Sequence, residues 1–202
     1  MLSKGGLKTL SETLEEYLNA AEEAVKSIDR KSIGEAVTLC VEALQRGGSI
    51  FFCGNGGGAA DAQHFAGELV GRFRLERNGF RAIALTSDNA VITALANDYG
   101  FREVYARQVK AIGRKDDVLF ALSTSGNSEN IVEAAKAAGS IGMKVISLTG
   151  NESCALAELS DVHFVSPSSL TSHSQEAILV AGHSICWAIE KIMTSGDGGC
   201  SC

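Results

Sequence analysis

Four side chains in two distant stretches carry the donor types of a metal centre. His64 and Glu68 are four residues apart, so on a helix both project from one face. Gln175 and His183 are eight apart, again roughly one helical face. Brought together they would supply two imidazoles, a carboxylate and an amide oxygen. That mixed set suits a borderline divalent ion such as zinc, with glutamine the uncommon member. Either pair alone reads as a core histidine beside a polar neighbour, and only the convergence of both makes a ligand set.

A second kind of chemistry is written in Ser123-Thr124-Ser125-Gly126-Asn127-Ser128. Hydroxyls gathered at a helix start give a phosphate several fixed donors without a cationic side chain. Helix capping accounts for one hydroxyl, not four. A third segment, Gly54-Asn55-Gly56-Gly57-Gly58, follows the apolar run Ile50-Phe51-Phe52-Cys53 and precedes a helical pattern. Its glycines let the backbone approach a ligand closely. A dinucleotide fingerprint is excluded because position 59 is alanine, and no Lys-Ser/Thr follows to make a Walker loop. A plain tight turn is the competing reading.

These loops need a scaffold that sets strand ends beside helix starts. Apolar runs at 49–53, 81–85, 118–122, 144–148 and 162–165 read as strands. Helical patterns lie between them at about 59–73, 89–96, 101–112, 128–140 and 153–159, with a last one at 174–193. Alternating, near-continuously apolar strands predict an α/β fold, a three-layer sandwich around a five-stranded parallel sheet. In such sheets ligands bind beyond the carboxyl ends of the strands, where both loops fall. Two helices precede the sheet. Thr9 with Glu12 forms a capping box ahead of Leu10, Leu14, Tyr17, Leu18 and Ala21. Ser32 with Glu35 is expected to start the second, which carries Ile33, Val37, Val41 and Leu44 and stops at Gly47-Gly48. The organisation is one domain over 1–193, with N-terminal helices at about 9–47, an α/β core at 49–193 and a flexible tail at 194–202.

Composition narrows the function classes. With 202 residues, 45% hydrophobic and 21% charged, the chain is long and apolar enough for one core, which excludes a disordered protein. The net charge of −6 and the lack of a Lys/Arg run argue against nucleic acid or an anionic membrane as partner. No unbroken apolar run reaches the roughly 18 residues of a bilayer span. Residues 1–6 show no hydrophobic signal segment, so the cytoplasm is the expected location. Cys40, Cys53 and Cys186 sit in apolar periodic segments and read as small core hydrophobes rather than disulfide partners. Cys154 falls in a loop. Cys200 and Cys202 end the Gly-rich tail, where metal binding lacks a second pair.

Taken together, these motifs resemble the phosphoheptose isomerase family of bacteria. The resemblance rests on Cys53-Gly54-Asn55-Gly56-Gly57, Asp61-Ala62-Gln63-His64-Phe65-Ala66-Gly67-Glu68-Leu69 and Ala96-Asn97-Asp98-Tyr99. It extends to the Ser123–Ser128 loop and to Gln175-Glu176 with His183, over about residues 10–190. The Ser-Thr-Ser-Gly loop alone marks the broader sugar-isomerase (SIS) domain, of flavodoxin-like fold. The resemblance implies one zinc ion per subunit on His64, Glu68, Gln175 and His183. Phosphate would sit on Ser123, Thr124, Ser125 and Ser128, with Asn55, Gly56, Gly57, Glu68, Asn97, Asp98 and Gln175 along the substrate. It also implies conversion of sedoheptulose 7-phosphate to the aldose D-glycero-D-manno-heptose 7-phosphate through an enediol, the first step toward nucleotide-activated heptose for lipopolysaccharide and related glycans. Glu68 would be the base and His183 the acid, two groups of different proton affinity. A homotetramer is implied as well, which the apolar stripe of the first helix fits.

Some positions depart from the family pattern. Gly58 replaces a serine, and Ser172, His173 and Ser174 replace an acidic or small residue, a basic residue and an isoleucine. Arg72 reads either as a phosphate contact or as a surface arginine. Two rivals remain: a non-catalytic SIS protein like the relative that binds the replication initiator, for which Glu68 has no purpose, and an SIS isomerase for another sugar phosphate.

Overall fold

Thr9 caps the first helix as its sequence predicts. Its Oγ1 accepts the Glu12 N–H at 3.3 Å, and the Glu12 carboxylate accepts the Thr9 N–H at 2.7 Å. The computed structural model describes residues 9–195, so the Cys200/Cys202 tail lies outside the described residues. The first helix, α1, spans Leu10–Lys26, and α2 spans Arg30–Gln45. The second begins before Ser32. Asp29 takes the N-cap, its carboxylate accepting the N–H groups of Lys31 and Ser32 at 3.0 and 3.1 Å. Ser32 thus sits in the first turn, its hydroxyl bonded back to the Asp29 carbonyl. Beyond α2, Gly47 adopts a left-handed φ of 79° and turns the chain into the sheet.

The remaining elements alternate: β1 (Ile50–Gly54), α3 (Gly57–Val70), β2 (Ala82–Ala84), α4 (Asn89–Tyr99), a 3₁₀ turn (Phe101–Glu103) and α5 (Val104–Ile112). They continue as β3 (Val118–Ser123), α6 (Glu129–Ile141), β4 (Lys144–Thr149), α7 (Ala155–Leu159), β5 (Val162–Val165) and α8 (Thr171–Ser195). Each predicted strand is present, the edge strand β2 being shorter than its apolar run. The predicted helix at 101–112 opens with the 3₁₀ turn because Gly100, at φ 83°, turns the chain just before it. The last helix starts three residues before 174 and runs two past 193, into the segment expected to be tail.

All five strands pair in parallel in the order β2-β1-β3-β4-β5. The order reverses between β1 and β3, which opens a crevice beyond their carboxyl ends. One sheet face packs Phe52, Phe120, Ile146 and Leu148 against α2, α3 and α8. There Phe52 and Phe120 stack with centroids 4.9 Å apart. The other face packs Phe51, Leu119, Ala121 and Val145 against α5, α6 and α7. Fully burying each such Phe, Leu or Ile contributes about 1.5–3 kcal/mol. Cys40, Cys53 and Cys186 are free and buried in these cores, and burial pushes the Cys53 and Cys186 thiols up to about 12. Cys154 occupies the N-cap position of the short α7 without a side-chain capping bond.

Helix α8 is the one described helix with the length and hydropathy to cross a bilayer. Ala177, Ile178, Ala181, Ile185 and Ile189 nevertheless bury it in the core. Helix α1 packs along α8 and leaves Leu10, Leu14 and Leu18 exposed.

Candidate active site

The crevice between β1 and β3 is walled by their two loops and by the start of α8. Its cleft has a volume of about 260 Å³ and is lined by Asn55, Gly57, Asp61, Ser123, Thr124, Ser128, Thr171 and Gln175, among others. The glycines of the first loop prove to serve packing as much as ligand approach. A Cβ on Gly57 would collide with the Gln175 amide, and one on Gly54 with the Gly58 carbonyl. Gly56 precedes α3 at a φ of 54°. Asn55 and Asn130 exchange side-chain hydrogen bonds of 2.9 and 2.8 Å, which lock the first loop to α6.

The second loop forms a hydroxyl cradle. Ser123 Oγ lies 3.2 Å from Ser128 Oγ and 3.4 Å from Ser125 Oγ. Ser128 occupies the N-cap of α6 yet makes no capping bond with its side chain. Its hydroxyl therefore serves the cradle; in the first turn of α6 the Ile131 N–H turns back to the Ser128 carbonyl at 3.0 Å, leaving those of Glu129 and Asn130 for an anion. Ser125 Oγ accepts the Asn127 N–H at 3.2 Å, a local turn bond that holds the loop.

Helices α3 and α8 bring three of the four predicted ligands together. His64 Nε2 and His183 Nε2 lie 2.7 Å apart, and His64 Nε2 lies 3.4 Å from Glu68 Oε1. The donor atoms of all three fall within 4.8 Å of one another. The rings of Phe65 and Phe73 lie 6.1 and 5.8 Å from that of His183. Two imidazole nitrogens and a carboxylate oxygen in such proximity fit a borderline divalent cation. The Gln175 amide donates its N–H to Asp61 Oδ2 at 3.2 Å.

Asp61 is the site residue whose role sequence reasoning missed. It precedes His64 by three positions and Glu68 by seven, so all three share a face of α3. That spacing was the available signal. Burial raises its pKa above the ordinary aspartate value, while the Gln175 bond and the His64 and His183 imidazoles pull the other way. Asp61 thus lines the cleft and couples electrostatically to both histidines of the cluster.

Other expected residues lie apart. Asn97 and Asp98 sit exposed on α4, bonded to each other at 2.8 Å, and do not line the cleft. Helix α4 buries none of its residues in this chain. Arg72 is exposed and faces Glu76 at 3.7 Å. His173 and Ser174 are buried, and the His173 ring meets that of Tyr17 edge-on at 4.3 Å.

A doubly wound sheet with a hydroxyl cradle at its switch point is the architecture of a sugar-phosphate-binding SIS domain, and the SIS domain pattern matches residues 15–150. Phosphoheptose isomerase of Helicobacter pylori strain P12 is 46% identical over 178 residues, 87% of this chain and 93% of that protein. That of Aliarcobacter butzleri is 44% identical over 90% of this chain and 97% of its own. The solved phosphoheptose isomerase of Neisseria gonorrhoeae aligns with a TM-score of 0.83 at 40% identity, covering 90% of this chain and 99% of that one. The Francisella tularensis structure gives 0.86 at 36% identity over 91% and 100%. The chain belongs to the SIS-domain family and, within it, to the phosphoheptose isomerases.

Proposed function

We propose that this protein is an isomerase converting sedoheptulose 7-phosphate to D-glycero-D-manno-heptose 7-phosphate through an enediol. The observation that carries the reading is the convergence of Glu68 with His64 and His183 between α3 and α8, coupled through Asp61 to the cleft lined by Ser123, Thr124 and Ser128 of the hydroxyl cradle. Ser123, Thr124, Ser125 and Ser128 take the phosphate with the N–H groups of α6, fixing one end of an extended substrate. Asn55, Gly56 and Gly57 run along the sugar chain, and Gln175 orients on Asp61 beside it. Glu68 removes a proton from C1 of the ketose and returns it to C2. Its Oε1 faces His64, so the exchange falls to the other oxygen. His183, whose Nε2 faces His64, acts through Nδ1, delivering a proton to the carbonyl oxygen as the enediol forms and recovering one as it collapses.

In this reading His64, Glu68 and His183, with Gln175 as a fourth donor, would hold zinc, which when bound would supply Lewis-acid polarisation of the carbonyl. The assembly is a homotetramer in the cytoplasm. The exposed stripe of Leu10, Leu14 and Leu18 on α1 and the exposed outer face of α4 with Asn97 and Asp98 support subunit contacts. Turnover of sedoheptulose 7-phosphate, compared with arabinose 5-phosphate and fructose 6-phosphate, tests the proposal. Activity on the heptose alone is expected. Equal or greater activity on either other sugar would overturn the substrate, and no turnover of any would overturn the enzyme. Elemental analysis of the purified chain at about one zinc per subunit is the accompanying expectation.

A further inference from the structure

The loop at 71–79, between α3 and β2, holds none of the residues assigned to the site. Its organising group is Glu190, fully buried on α8, seven residues after His183. The Glu190 carboxylate accepts the N–H groups of Phe73, Arg74 and Leu75 at 2.9, 2.9 and 3.0 Å and the Arg77 Nε–H at 3.1 Å. Arg77, its side chain only 5% exposed, spends its other N–H groups on carbonyls at the end of α3. It reaches Leu69 at 2.9 Å, Gly71 at 3.1 Å and Glu68 at 3.0 Å, and also Asn78 at 3.1 Å. Its guanidinium lies 3.9 Å from the centre of the Phe80 ring.

The last carbonyls of a helix have no partner within it, and here one arginine satisfies several. Apolar residues of similar volume often serve stability as well as a buried ion pair does. The pair's distinctive product is therefore geometric. Two of its contacts end at the cluster. Arg77 holds the backbone of Glu68 itself, and Phe73, whose N–H Glu190 grips, places its ring 5.8 Å from the His183 imidazole. The clasp joins the helix that carries the base to the helix that carries the acid.

We propose that Arg77 and Glu190 are positioning residues that set the separation of Glu68 and His183. What that separation serves rests on the isomerase reading above. The test compares Glu190→Gln and Arg77→Lys with the parent, at a temperature where near-ultraviolet circular dichroism shows each folded. The expectation is a fall in kcat of at least about tenfold with KM within about threefold, the mark of a reacting group displaced by a fraction of an ångström. The His183 imidazole resonance should move in both variants while that of His163, on β5, stays. A kcat per folded chain within twofold of the parent, or an unmoved His183 resonance, overturns the proposal. If Glu190→Gln does not fold, Arg77→Lys, which keeps the charge facing Glu190, decides by the same two readings. A parent without turnover would count against the isomerase alone, and the His183 resonance would then settle the clasp.

Discussion

The hydroxyl cradle after β3 and the His64–Glu68–His183 cluster between α3 and α8 are built in opposite ways. The cradle comes from six consecutive residues at one strand–helix junction, so its geometry is local. The cluster joins side chains 119 positions apart and exists only when α3 and α8 pack together. Redundancy differs too. The cradle offers four hydroxyls and backbone N–H groups of the same kind, whereas the cluster holds one carboxylate and two imidazoles with no duplicate. A local, redundant device should degrade gradually under mutation, and a long-range one without spares should fail outright.

The largest effects should therefore fall on the cluster. Glu68→Gln and His183→Ala are each expected to lower kcat at least about a hundredfold, the usual scale for losing a general base or acid. Circular dichroism should show the fold retained, because His64 and Glu68 are partly exposed and the cluster lies outside the two apolar cores. Near-normal turnover in either variant would erase the contrast at its stronger end. Ser125→Ala tests the gradual end. Its expected result is a KM raised about tenfold with kcat nearly unchanged, since one hydrogen bond to a charged group is lost far from the reacting carbons. A selective loss of kcat would show the cradle taking part in the chemistry.

The same distinction explains what could be read from the sequence. The cradle's geometry was legible because a run of hydroxyls at a strand–helix junction gathers locally, without any long-range contact. The parallel sheet was legible because five apolar runs alternate with helical periodicity. His64, Glu68 and His183 were recoverable as faces of helices, but their meeting depends on how α3 crosses α8, which periodicity does not encode. Asp61 was hidden because an aspartate in the first turns of a helix looks like ordinary charge placement. The start of α2 was misjudged because Ser32 with Glu35 and Asp29 both offer a cap. Asp29 wins because its carboxylate receives two backbone N–H groups where a serine hydroxyl would receive one. Asn97 and Asp98 carry a sequence signature but lie on the exposed face of α4, and nothing within this chain brings them to the cleft.

Between the two devices stands the Glu190–Arg77 pair, and acid should reveal it. Burial alone would raise the Glu190 carboxyl. The N–H groups of Leu75, Arg74 and Phe73 and the Arg77 charge outweigh that, holding its pKa below the ordinary 4.5. A depressed carboxyl contributes stability that is complete above its unfolded pKa and is lost as pH falls through the folded one. Chemical denaturation from pH 6 downward should show the parent weakening below about 4.5, and Glu190→Gln, with no charge there to lose, should follow a flatter acid limb. Parallel limbs in the two proteins would mean that the carboxylate is not what ties α3 to α8.

The smallest effect belongs to a change that touches neither device. Asp29→Ala removes the cap of α2, whose carboxylate holds two N–H groups at an exposed helix start. Such a loss costs about 1 kcal/mol of folding stability. Helix α2 packs on the sheet face opposite α5 and α6 and meets α8 in an apolar cluster that does not include His183. Thermal unfolding should therefore shift down by a few degrees, about 2–4 °C for a chain of this size, with kcat and KM both unchanged at 25 °C. This variant separates global stability from site geometry. If a loss of about 1 kcal/mol at α2 lowered kcat as the cluster variants do, the cluster would be reporting the overall stability of the fold rather than its own side chains.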